Sequence, residues 1–80
     1  MINKQKLLYR SAYRGCKETD FLIGQFVKAK INEMTEQQLK ILENFLVEDD
    51  LKIYDWILGK EKVAEEYGEL VGLIQKFHKI

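Results

Sequence analysis

The sequence predicts an all-α domain, a compact bundle of five short helices forming one unit over residues 1–80. Three observations lead there. Apolar residues recur at spacings of three and four, the period of a helix face. Lys, Leu and Glu are the commonest residues, and these, like Gln, lose little side-chain freedom on entering a helix. No proline, Ser/Gly-rich linker, low-complexity tract or internal repeat interrupts it.

Asn3 is the expected N-cap of a first helix reaching about Arg14, with Leu8/Ala12 and Tyr9/Tyr13 as i,i+4 pairs. A second helix is expected from about Lys17 to Ile31, turning Leu22, Ile23, Phe26, Val27 and Ala29 inward. "TEQQ", Thr35 to Gln38, is a capping box that opens a third helix, whose buried stripe is Leu39, Leu42, Phe45 and Leu46. Asp49-Asp50 suits the positive end of a fourth helix that Gly59 stops, with Tyr54, Ile57 and Leu58 toward the core beside Trp56. The fifth is expected from about Val63 to His78, with Val63, Tyr67, Leu70, Ile74 and Phe77 on one face. Short connections of two to five residues favour antiparallel neighbours.

Eighty residues hold a single small core, so stability must come from a staple or from efficient packing. Cys16 is the sole cysteine and His78 the sole histidine, which excludes an internal disulfide and a Cys/His zinc cluster. Packing remains, and 46% hydrophobic residues supply it. No apolar run is long enough for a membrane span or a secretory signal, and the opening residues lack the Arg/Ser richness of a transit peptide. With a lone thiol, the chain is read as cytoplasmic.

Zero net charge hides an asymmetry. Residues 1–30 carry seven Lys/Arg against two acids, +5, and residues 31–80 carry six lysines against eleven acids, −5. Such polarity steers docking onto a charged protein, although ordinary solvated helix faces produce it too.

The stretch "YRGCKETDF", Tyr13 to Phe21, holds the candidate site. Gly15 fits a helix C′ position with left-handed backbone, between Arg14 in a last turn and Glu18 in a first turn. That architecture accounts for the glycine but does not require arginine over lysine. The functional reading is an outward-facing corner, at least partly exposed. Its guanidinium fork grips a carboxylate or phosphate, its carboxylate accepts from a partner, and its glycine admits a partner's backbone. Cys16 beside a helix N-terminus has the setting of a lowered thiol pKa, but no CxxC or neighbouring histidine accompanies it. His78 reads as a surface cap, and Gly68-x-x-x-Gly72 as a possible close helix contact. No P-loop, GxGxxG, HExxH or nucleophile elbow is present, so the chain is not read as an enzyme. A DNA-reading helix-turn-helix is disfavoured because the third and fourth helices are acidic.

"RGCKETDFLIGQF" resembles the RGxxE-x-D-x-x-L/I signature of the succinate dehydrogenase FAD-assembly factors, the bacterial SdhE and mitochondrial flavinator family. The likeness continues through "LENFLVEDDLKIYDWILGK" and "ELVGLIQKF" and covers nearly the whole chain. The resemblance implies a five-helix bundle that binds the flavoprotein subunit of succinate dehydrogenase, and in some bacteria of fumarate reductase. It implies help with covalent attachment of FAD to a histidine of that subunit, with no flavin held stably by this chain. It carries the family's partner-binding residues onto Arg14, Gly15, Glu18, Asp49 and Asp50, and the family tryptophan onto Trp56. Many bacterial members have a second arginine where this chain has Tyr13. The alternative reading is another small binding protein, the antitoxin of a toxin–antitoxin pair.

Overall fold

A computed structural model describes residues 2–80. Five α-helices run through it: α1 Lys4–Ala12, α2 Lys17–Lys30, α3 Glu36–Phe45, α4 Asp50–Ile57 and α5 Gly68–His78. Two 3₁₀ turns, Ile31–Glu33 and Glu65–Tyr67, follow α2 and precede α5. The all-α class holds, and the molecule measures 33 × 25 × 22 Å. Helix α2 packs against α1, α4 and α5, while α5 also meets α3 and α4, so these two helices form the spine.

The caps explain most boundaries. The Asn3 side chain accepts from the Lys6 N–H, and Thr35 and Gln38 form the reciprocal box expected of them. Asp49 caps α4 by accepting from the Leu51 N–H, and Gly59 follows that helix at φ +76°. The core is one cluster in which Ile23, Val27, Leu42, Phe45, Ile53, Ile57 and Ile74 are fully buried. Burying side chains of this size contributes about 1.5–3 kcal/mol apiece before entropy is counted.

Several expectations need correction. Helix α1 stops at Ala12 with Tyr13 as its C-cap, so Arg14 lies outside the last turn and Gly15 one residue beyond it. The Asp20 carboxylate draws the Arg14 N–H into a 2.7 Å bond, in place of a helical carbonyl. The Tyr9/Tyr13 pair forms as expected, on the exposed side of α1 with ring centroids 4.9 Å apart, and the inward face carries Leu7 and Ser11. Burial of Ser11 is satisfied by donation to the Leu7 carbonyl at 2.6 Å. Ala29 is exposed, whereas Ile53 and Val71, absent from the expected stripes, are buried.

The fifth helix starts five residues later than its apolar pattern suggests. Ala64 is extended, and Val63 and Ala64 lie against the core before the 3₁₀ turn delivers Tyr67. Tyr67 joins Phe45 and Trp56 in an aromatic cluster with ring centroids 5.2–6.1 Å apart. Tertiary packing overrides local periodicity there. Gly68 and Gly72 make no close helix contact. That role falls to Gly24, where a Cβ would lie 3.2 Å from the Ala12 Cα, so its absence lets α1 and α2 approach.

Candidate functional site

The five residues singled out by the sequence converge on one corner. Arg14 and Gly15 lie in the α1–α2 link, Glu18 in the first turn of α2, and Asp49 and Asp50 at the start of α4. Gly15 is exposed and adopts φ +97°, a conformation that L side chains rarely enter, although the space beyond it is open. The glycine is required by backbone geometry.

Arg14 does not point outward. Only 10% of its side chain is exposed, which corrects the expectation of an outward-facing fork. Its Nε donates to Asp50 Oδ1 at 2.5 Å, Nη1 to the Leu46 carbonyl at 2.6 Å and Nη2 to the Glu48 carbonyl at 2.8 Å. One planar group thus caps the C-terminal end of α3, follows the turn and reaches the first residue of α4. A lysine offers a single nitrogen and cannot hold three acceptors spread over such a fan. The sequence left arginine without a structural reason, and the carbonyls of residues 46 and 48 provide it.

Two neighbours complete the clamp. Thr19, fully buried, has its hydroxyl 3.1 Å from the Cys16 carbonyl and 3.3 Å from Asp50 Oδ1, two acceptors for one hydrogen. Asp20 holds the Arg14 N–H, as described. The sequence reading assigned neither residue a role. Asp20 was visible as the aspartate of the RGxxE-x-D pattern, while Thr19 gave no signal because its partner is 31 positions away.

With Arg14 turned in, the exposed face of the corner is acidic. Glu18 and Asp49 are exposed, and they line an open groove of about 480 Å³ with Cys16, Asp50, Leu51 and Tyr54. Leu51 and Val47 project into solvent beside them, each about two-thirds or more exposed. Cys16 is half-buried at the N-cap of α2, where its side chain makes no cap bond. His78 partners other groups: Nε2 donates to the Leu22 carbonyl at 2.7 Å and the ring packs on Phe21 and Phe77, joining α5 to α2. His78 therefore links two helices and is not the surface cap expected of it. Among the described residues no group of three or more His, Cys, Asp and Glu is placed to hold a metal ion.

Behind the corner, Glu48 connects to the aromatic cluster. Its Oε2 accepts from the Tyr67 hydroxyl at 3.2 Å. Burial, reinforced by hydrogen bonding to Glu48, pushes the Tyr67 phenol up to about 12. Trp56 is buried among Phe45 and Tyr67, with the Lys52 ammonium 5.9 Å from its ring centroid, and serves the core.

Residues 5–78 match the family model described as flavinator of succinate dehydrogenase. The chain belongs to that family. It is similar to the mitochondrial succinate dehydrogenase assembly factor 2 of Dictyostelium discoideum, 41% identical over 90% of this chain and 52% of that one. It is 36% identical to the FAD assembly factor SdhE of Legionella pneumophila (strain Paris), over 90% of both chains. The mitochondrial assembly factor 2 of Danio rerio is 35% identical over 98% of this chain and 51% of its own length. The chain thus spans about half the length of these two mitochondrial relatives and nine-tenths of the bacterial one. No solved structure matches it. No helix among the described residues is long and apolar enough to cross a membrane.

Proposed function

We propose that this chain binds the flavoprotein subunit of succinate dehydrogenase and promotes covalent attachment of FAD to it, acting as a non-enzymatic assembly factor. The observation that carries this reading is the convergence of residues 14–18 and 49–50 on one braced corner in a member of this family. Gly15, Glu18 and Asp49 are the groups that meet the client. Arg14 and Asp50 position them by fixing the α1–α2 and α3–α4 links against each other.

Attachment itself is chemistry of the flavin and the client's histidine. The imidazole nitrogen would bond to the flavin methyl carbon as one methyl C–H and the imidazole N–H break, with two protons and one electron pair passing to the flavin ring and leaving it reduced. This chain assists by holding the client so that histidine and methyl lie in attack geometry. A rigid corner with a glycine at its apex suits that task, because a client backbone can approach without meeting a Cβ. The FAD stays with the client: an acidic groove repels a pyrophosphate, and the sequence has no phosphate-binding loop.

The test uses Glu18→Gln and Asp49→Asn, which remove charge while keeping size, and in the second case keep a good N-cap. Each purified variant is combined with client flavoprotein and FAD, and covalent flavin is read by in-gel fluorescence. The fumarate reductase flavoprotein is assayed in parallel as a second client. Reduced flavinylation by a protein with native helical circular dichroism supports the reading. Full activity in the double variant removes the corner from the binding surface.

A further inference from the structure

A second surface adjoins the corner. Between α1 and α2 runs an open groove of about 630 Å³ whose walls are Tyr9 and Tyr13 on one side and Phe21 on the other. These three aromatic side chains are 65%, 70% and 59% exposed. Tyr9 and Tyr13 pack against each other with centroids 4.9 Å apart, and Phe21 rests on the His78 ring at 5.7 Å, so the walls are held in place before anything binds. Gly24 and Ala12, the close contact between the helices, leave the floor low. Three pre-positioned aromatic rings around one groove are an interaction surface rather than scattered exposure.

The charges around it are mostly positive. Positions 17, 21, 24 and 28 share a face of α2, which sets Lys17 and Lys28 at either end of Phe21 and Gly24. Positions 6, 9 and 13 share a face of α1 and place Lys6 beside the tyrosines. All three lysines are exposed, and among the described residues none makes an ion pair. The one acid lining the groove, Asp20, is half-buried and turned to the Arg14 N–H, and the three exposed lysines outnumber it. A partner must therefore bring carboxylates around an apolar anchor. A nucleic acid fits less well, because the rest of the molecule carries −5 and would repel it.

We propose that this groove receives an acidic segment of the client flavoprotein, one apolar side chain seated among Tyr9, Tyr13 and Phe21 and flanking carboxylates facing Lys17 and Lys28. This rests on the reading of the client given above. The corner and the groove then act as one continuous docking surface, with Tyr13 at their junction.

The experiment compares affinities for the purified client flavoprotein of the wild type, Tyr13→Ser/Phe21→Ser, Lys17→Glu/Lys28→Glu and Glu18→Gln. Circular dichroism confirms folding, since every substituted side chain is exposed. Both groove variants are expected to weaken the Kd about tenfold or more, and the wild-type affinity to fall with salt more steeply than that of the lysine variant. A photo-crosslinking residue in place of Tyr13 should capture a client peptide rich in Asp/Glu around an apolar residue. Loss of binding in Glu18→Gln with wild-type affinity in both groove variants overturns the groove alone. A wild-type protein that binds no flavoprotein overturns the client reading and the groove with it. Groove variants that lose self-association or nucleic-acid retention, and not client affinity, also overturn it.

Discussion

Arg14 shows how a single side chain serves architecture and site together. Its three donor nitrogens are committed inside the molecule, and its nearly buried charge is balanced by Asp50. Removing it strands a carboxylate and two carbonyls, so Arg14→Ala should cost about 3 kcal/mol. Arg14→Lys should recover less than half of that loss, because one ammonium cannot span the acceptors. Glu18→Ala, by contrast, removes an exposed group and should change stability by no more than about 0.5 kcal/mol, about 2–4 °C in melting temperature for a domain of this size. Chemical denaturation of the three variants checks the ordering. Equal stability of Arg14→Ala and Glu18→Ala would remove the clamp from the account. At Gly15 the cost has a different origin: φ +97° alone makes alanine unfavourable by roughly 1–2 kcal/mol, with no clash needed.

At the scale of single elements, the caps were legible and the boundaries less so. Asn3, Thr35, Gln38 and Asp49 act as their residue types suggest, because a cap is local chemistry between neighbours in sequence. The start of α5 was not legible, since Val63 continues the apolar period while the chain is still non-helical and packed against the core. Nor was the end of α1, where a carboxylate in the next helix takes the Arg14 N–H. Gly72, mid-helix in α5 with open space around it, gives no packing benefit. Gly72→Ala should stabilise the protein by about 0.5–1 kcal/mol, observable as a raised unfolding midpoint. Tyr67, delivered by the 3₁₀ turn, makes the element sensitive to alkali. Its folded-state pKa of about 12 lies above the ordinary tyrosine value of 10.0, so the folded protein retains a proton that the unfolded chain releases. Its contribution is whole below pH 10 and is lost as the pH rises toward 12. Unfolding curves for wild type and Tyr67→Phe should diverge less at pH 11 than at pH 8, once lysine titration common to both is subtracted.

For the whole molecule, sequence order becomes spatial charge. Helix α1 packs chiefly on α2, so the +5 of residues 1–30 gathers in one layer, and the −5 of the remainder lies in α3, α4, α5 and their links. A net charge of zero therefore coexists with a strong dipole. Near the isoelectric pH of about 6.6 such molecules attract one another head to tail at low salt. Static light scattering should give a second virial coefficient that rises with ionic strength, and Lys17→Glu/Lys28→Glu should flatten that dependence. The all-α class, five helices and location of the corner were readable in advance, because periodicity and motif spacing are properties of the chain. The direction of the Arg14 side chain was not, because it depends on carbonyls more than thirty residues away.

That separation bears on the order in which the molecule assembles. Helices form from near neighbours in well under a millisecond, whereas the Arg14–Asp50 contact closes a loop of 36 positions and needs the ends of α1, α3 and α4 already in register. Such a contact is expected to form in the last stage of folding, after the rate-limiting barrier. Its loss should therefore appear almost wholly as faster unfolding, with the refolding rate scarcely altered, in stopped-flow measurements across denaturant. The corner would then be the first part of the native structure to open, and the lifetime of the docking surface would be set by how long one guanidinium holds its three acceptors.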